Sequence, residues 1–398
     1  MTVAAFMDLA LYDAEFGYYA RAAQRSGRAG DFFTSVDVGA LFGELLEIQV
    51  AEMASLLESP VPPESGVSPD SGVPPESGVP PESRIPNPES HFDLVEAGAG
   101  NGRLSADILR AARGRHPRHY ARARLHLVEA SREARAAQRA VLGDVADRLA
   151  ESSDRFPSAV EGVIVANELV DALPVHQVVM GADGLKEMYV AYDDGLVLVE
   201  GPASTPELQR YLDRLGVSLE PGWRVEISLR AVEWIRDVAQ RLRRGFVIVI
   251  DYGHEARELY SITHSAGTLT AVARHTMAGP ADTAGGRRPA WLLDPGEQDL
   301  TAHVDFTSLR ASAEAEGLTT LGFLDQTYFL LGLVAAQDSS RNLQNPENLG
   351  NPANLKQSLA LKTLLMPGGL GSTHKVLILG KGVGTPSLAG CSFRMRVT

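Results

Sequence analysis

Apolar positions along the chain fall into short dense runs separated by polar stretches with helical spacing. HFDLVE (91–96), RLHLVEA (124–130), GVIVAN (162–167), FVIVIDYG (246–253), LTTLGFL (318–324) and KVLILGK (375–381) are rich in Val, Ile and Leu. Runs of this kind predict strands buried on both faces of a sheet. RLSADILRAAR (103–113) and SREARAAQRAVL (131–142) repeat their apolar residues every three to four positions, as helices do. Phe6–Tyr12 and Leu41–Leu57 have the same spacing. Strands alternating with helices predict an α/β fold around a mainly parallel sheet. Residues 175–225 break the alternation: QVVMG, KEMYVAY and LVLVE are separated by ADG and DDG, which predicts an antiparallel meander inserted into the main fold.

Two segments cannot build a core. Residues 61–84 repeat a six-residue unit, VPPESG, VSPDSG, VPPESG and VPPESR. Proline removes a backbone donor there, and Ser, Glu and Gly offer little to bury. Residues 58–90 therefore read as an extended linker or loop insertion, with a Pro-rich partner ligand as the alternative. RNLQNPENLGNPANL (341–355) reads as a second loop.

Composition narrows the function classes. The chain has 398 residues and a net charge of −13, which argues against a nucleic-acid or anionic-membrane binder, since both need a cationic face. One cysteine, Cys391, rules out a disulfide framework or a Cys-rich zinc site and reads as an incidental thiol. No run approaches a membrane helix. The first thirty residues carry Asp8, Asp13 and Glu15 within an apolar pattern, unlike a signal or transit peptide, so a cytoplasmic protein is expected.

Candidate chemistry lies at the ends of the predicted strands. In DLVEAGAGNGRL (93–104), Gly98, Gly100 and Gly102 follow a strand and open a helix, as a tight turn approaching a ligand requires. The spacing is GxGxG, not the dinucleotide fingerprint GxGxxG, and no GxxxxGK[ST] loop occurs. Glu129 closes the next strand, where a carboxylate can accept from both ribose hydroxyls, and Glu96, just before the turn, is a candidate to orient the turn or the amino-acid part of a cofactor. Together they suit S-adenosylmethionine (SAM), a nucleoside cofactor without phosphate. In VANELVDALPVHQ (165–177), Asn167 and Glu168 end a strand and Asp171 follows within a turn, a pairing suited to a cation or to helix capping. Asp251 ends the strand of IDYGHE (250–255). Further on stand His275, Glu297, Asp299, Thr301, His303 and Asp305; with no HxH or HExxH spacing, a turn tied by Asp and Thr hydrogen bonds or a substrate-pocket role is expected there and no metal.

In this order, LYDAEFGYY (11–19), GDFFTS (30–35) with LFGE (41–44), EAGAGNGRL (96–104), NELVDALPV (167–175), IDYG (250–253), GTL (267–269), PGEQDLTAHVDF (295–306) and HKVLILGKG (374–382) resemble the MidA-like family of class I SAM-dependent methyltransferases. That family includes a mitochondrial complex I assembly factor that methylates a protein arginine. The resemblance implies a Rossmann-like seven-stranded sheet whose last strand, near 375–380, is antiparallel, with an N-terminal helical segment over the cofactor. It implies Gly98, Gly100 and Gly102 as the SAM turn, Glu129 as the ribose acid, and Asn167, Glu168 and Asp171 as the active-site edge. Gly30, Asp31 and Thr34 become the N-terminal wall. Two departures stand out: Ser35-Val36-Asp37 lacks the usual proline, and no tryptophan lies between Glu129 and Val165, which leaves the adenine contacts unassigned.

The implied organisation is a helical lid (1–57), the repeat insertion (58–90), a SAM-binding half (91–174), an antiparallel substrate region (175–225), a second half with a substrate insertion (226–390) and a tail (391–398). The expected function is methyl transfer to an arginine of a protein substrate linked to respiratory complex assembly, with Glu168 and Asp171, then Asp251, as catalytic acids. A SAM-binding assembly factor with little catalysis and a nicotinamide-dependent oxidoreductase are the alternatives. The sequence does not give the oligomeric state.

Overall fold

The computed structural model describes residues 1–21, 35–58, 91–273, 276–278, 288–340, 352–365 and 374–393. The repeat at 61–84, and Gly30, Asp31, Thr34 and His275, lie outside the described residues.

In chain order, β1 (Phe92–Ala97), β2 (Ala123–Val128), β3 (Leu149–Ser153) and β4 (Val160–Asn167) come first. The meander β5 (His176–Gly181), β6 (Gly184–Tyr192), β7 (Leu196–Pro202) and β8 (Arg224–Ile227) precedes the long β9 (Leu242–His254). Three short strands, β10 (Thr270–Ala273), β11 (Thr276–Ala278) and β12 (Asp299–Thr301), lead to β13 (Val304–Asp305), β14 (Thr319–Asp325) and β15 (His374–Lys381).

The main sheet runs β14-β15-β9-β4-β1-β2-β3, with β13 paired to the end of β9. β9, β4, β1, β2 and β3 are parallel, while β15 lies antiparallel between β14 and β9. The dense apolar runs are explained by burial on both faces. Leu94, Val163, Val165, Ile248, Ile250, Val376 and Ile378 face helices Leu41–Glu58 and Arg103–Arg115. Val95, Ile164, Val247, Val249, Leu377 and Leu379 alternate with them and face helices Leu229–Arg241 and Phe306–Ala315. This is the two-residue period of a strand expressed as two cores.

The insertion forms a separate antiparallel sheet, β7-β6-β5-β8. Helix Val3–Tyr12 lies against it: Val3, Phe6, Met7 and Leu11 pack with Val179, Met188, Val190 and Leu198. Trp291 and Leu300 close the same cluster, so the small sheet β11-β10-β12 joins the helix and the insertion. That packing brings the end of the N-terminal helix to the carboxyl ends of the main strands, where open α/β sheets bind ligands.

One strand was not foreseen and one local expectation changes. β3, LAESS, is a mostly exposed edge strand and carries no apolar signal. The expected loop at 341–355 gives way at Pro352, which opens helix Pro352–Leu365; proline is well suited to a first helical position because its missing N–H has no helical partner to lose.

Candidate functional site

The turn after β1 is built for close approach. Gly98, Gly100 and Gly102 have φ of +69°, +49° and +82°, the left-handed region that glycine enters without a Cβ penalty. A Cβ on Gly98 would stand 2.9 Å from Leu169 Cδ1, whereas a Cβ on Gly100 would meet nothing within 4 Å. Glu129, one residue beyond β2, reaches back to this turn. Its Oε2 accepts the Gly100 N–H at 2.7 Å and its Oε1 accepts the Ser131 N–H at 2.7 Å. Each oxygen keeps a second lone pair for a hydroxyl. Glu96 is buried under the turn and accepts from the Ser105 N–H at 3.1 Å and from the Ser105 hydroxyl. Burial pushes Glu96 up to about 7, against the lowering effect of Ser105.

The second wall is the β4 terminus. Asn167 ends β4 and donates through Nδ2 to Glu168 Oε1 at 3.2 Å, while its Oδ1 is buried with no hydrogen-bond partner. Glu168 adopts φ +51°, rare for a residue with a side chain. Its N–H is tied to the Ile250 carbonyl at 2.8 Å, and Oε1 accepts the Ser35 N–H at 3.3 Å. Burial, and then Asp171, push Glu168 up to about 8. His374 Nε2 lies 3.8 Å from Glu168 Oε1, and the His374 ring lies 3.8 Å from that of Tyr252.

Asp171 and Asp251 stand behind Glu168. Asp171 accepts the Thr301 hydroxyl at 2.7 Å and is raised by burial. Asp251 is fully buried, and its Oδ2 accepts the N–H groups of Leu169, Val170 and Asp171 at 3.2, 2.7 and 3.3 Å. Oδ1 accepts the Tyr252 N–H at 2.8 Å. Asp251 is also raised, by burial first and then by Asp171. Its hydrogen bonds fix the turn that carries Asp171.

Aromatic side chains from the N-terminal segment complete the site. Tyr12 donates to the Ala172 carbonyl at 3.0 Å, and Tyr19 donates to Asp299 Oδ1 at 2.9 Å. The two rings are 5.4 Å apart, and burial raises both phenols well above their ordinary value. The sequence offered LYDAEFGYY as a block but no role for either tyrosine, because their partners lie 160 and 280 residues away. Asp299 and Thr301 thus hold site residues. Asp305 caps helix Phe306–Ala315 through Ser308 N–H at 3.1 Å and accepts from Tyr211 at 2.8 Å.

These features fit SAM: an open face at Gly100, a carboxylate on the turn beside it, and the orphaned buried Asn167 Oδ1, which calls for a donor. Among the described residues, no helix is long and apolar enough to cross a membrane.

Comparison with known proteins agrees. A family model described as "Putative S-adenosyl-L-methionine-dependent methyltransferase" matches residues 83–324. The mitochondrial protein arginine methyltransferase NDUFAF7 of Mus musculus is 29% identical over 360 residues, 83% of this chain and 70% of the relative. Its Drosophila melanogaster homolog is 26% identical over 421 residues, 96% of this chain and 82% of the relative. A superfamily member from Burkholderia thailandensis, crystallised with S-adenosyl-homocysteine, matches with a TM-score of 0.77 at 27% identity, covering 98% of this chain and 90% of that one. The expected cytoplasmic location is corrected by these relatives, since both curated proteins are mitochondrial. Acidic residues near the N-terminus were too weak a guide to compartment.

Proposed function

The chain belongs to the family of S-adenosyl-L-methionine-dependent methyltransferases, and from that membership we propose that it methylates an arginine side chain of a protein substrate, with Glu168 and Asp171 facing the acceptor. Gly98, Gly100, Gly102, Glu129 and Asn167 hold the cofactor, which when bound supplies an electrophilic methyl group. Gly30, Asp31 and Thr34 retain their part as the N-terminal wall on the resemblance alone.

One observation carries the choice of acceptor. Asp171 is buried, Glu168 is largely so, and both are raised, yet among the described residues no Lys or Arg lies within ion-pair distance of either. Burial with only a histidine, His374, within ion-pair distance among the described residues favours the neutral acid; an arriving cation reverses that balance and ionises it. A guanidinium supplies the charge, and its planar fork matches a carboxylate. Glu168 orients the fork and takes the proton that the methylated nitrogen must shed. Its value of about 8 belongs to the empty site and falls as the cation binds, which leaves the carboxylate ionised and able to accept the proton. Asp171 adds negative charge beside it, and Asp251 acts as a positioning residue by fixing the Asp171 turn. Tyr12 and Tyr19 cover the strand ends and keep water out.

The names of the mouse and Drosophila relatives support a protein arginine as acceptor, and the family resemblance supports a subunit of a respiratory complex. The test is incubation of the purified protein and methyl-labelled SAM with cell extract, followed by peptide mass spectrometry. Label on arginine in a respiratory subunit supports the reading; label confined to small molecules or to other residue types refutes it. Family membership replaces the nicotinamide alternative.

A further inference from the structure

Three histidines from distant parts of the sequence converge beside the acidic site. His254 is the last residue of β9, His264 closes the short turn Ile262–His264, and His303 immediately precedes β13. Pairing of β13 with β9, Asp305 opposite His254, brings the first and third together. The ring centroids of His254 and His264 are 4.8 Å apart, those of His254 and His303 5.2 Å, and those of His264 and His303 5.7 Å. One ligand nitrogen from each ring lies within 4.8 Å of the others.

Their hydrogen bonding is incomplete. His303 Nδ1 is buried without a hydrogen-bond partner, and His254 Nδ1 has only the Glu258 carboxylate beside it. Buried imidazole nitrogens normally find a partner. His264 is already oriented: its Nδ1 lies 3.0 Å from the Glu258 carbonyl, which fixes the proton there and leaves Nε2 a lone pair. The Glu258 carboxylate stands 3.1 Å from His254 Nδ1 without hydrogen-bond alignment. One residue therefore supports two of the rings, as outer partners of metal-bound histidines do.

We propose that His254, His264 and His303 form a binding site for one divalent transition-metal ion, zinc in preference to magnesium or calcium. Imidazole nitrogens select that class, whereas the alkaline-earth ions require oxygen ligands. Three histidines with a fourth position left to water is an established zinc arrangement. Zinc–nitrogen bonds of about 2.0–2.1 Å in tetrahedral geometry place ligand nitrogens roughly 3.4 Å apart. Modest ring rotations therefore close the cluster. The ion would tie the end of β9, the 256–264 segment and the entry to β13. The first of these carries Asp251, and the last follows Thr301, the hydroxyl partner of Asp171. It is a clamp behind the acid wall, independent of which acceptor the enzyme methylates. Spacing along the chain hides the site, because its three ligands share no short metal-binding motif.

The test uses untagged full-length protein stripped with a chelator. Titration with Co²⁺ alone should give one equivalent of binding with the visible d–d bands of a tetrahedral site, and Zn²⁺ should displace it. Glu258→Ala should weaken binding roughly tenfold or more. His264→Gln, in an exposed turn, should abolish the bands while circular dichroism and S-adenosyl-homocysteine binding stay unchanged, which separates loss of ligand from loss of fold. Absence of the bands in the wild type, or a His264→Gln protein that binds Co²⁺ as the wild type does, would overturn the proposal.

Discussion

The carboxylate of Asp251 accepts the backbone N–H of Asp171 at 3.3 Å, so one buried acid holds the turn on which the next is carried. The same oxygen takes the N–H groups of Leu169 and Val170. Asp251→Ala strands these donors in a dry interior and is expected to lower stability by about 3 kcal/mol. Asp251→Asn keeps one acceptor oxygen and should lose clearly less. Urea unfolding of both variants measures the difference; equal midpoints would show that the turn holds itself.

Glu168→Gln keeps the shape of the side chain and removes its proton affinity. Methyl transfer should fall about 100-fold or more, within the range of general acid–base contributions. S-adenosyl-homocysteine affinity should stay within about threefold, because the proposed place of Glu168 is on the acceptor side. Turnover at the wild-type rate would remove Glu168 from the chemistry.

Glu96 and Glu168 are raised to about 7 and about 8 from an ordinary 4.5. Between 4.5 and those values the folded protein holds protons that the unfolded chain has released. Their contribution is therefore fully present below pH 4.5 and lost as pH rises through about 7 and then about 8. In the absence of substrate, stability should decline across this window. Glu168→Gln should flatten its upper end. Denaturant midpoints from pH 5 to 9 test this, and parallel wild-type and variant curves would contradict it.

Gly100→Val separates fold from cofactor. Nothing lies within 4 Å of the added Cβ, but φ is +49° and the face is the one proposed for the ligand. The protein should fold at a cost of about 1–2 kcal/mol, that of the left-handed backbone. Calorimetry should show at least a 100-fold loss of S-adenosyl-homocysteine affinity. Retained affinity would place the cofactor elsewhere. A variant that cannot bind the cofactor yet still supports respiratory-complex assembly would favour the assembly-factor alternative.

Much of the sheet was legible because its strands are buried on both faces: β1, β4, β9 and β15 are dense apolar runs with few polar interruptions. β3 was not, since an exposed edge strand carries little apolar signal. The candidate acids were legible as residues at strand ends. Their partners were hidden by sequence distance: Ser35 meets Glu168 across 133 positions, and Thr301 meets Asp171 across 130. The histidine cluster escaped for the same reason, as its members enter from three segments.

Glu168 occupies a backbone conformation that glycine would hold more comfortably, at φ +51° in an otherwise ordinary strand end. Glu168→Gly would relieve a strain of order 1 kcal/mol but take the acceptor from the buried Ser35 N–H, a loss of about 1–3 kcal/mol. A library of variants sorted for thermal resilience alone should therefore not enrich glycine at this position. The carboxylate proposed for turnover is kept by durability as well, so the two selections pull the same way here.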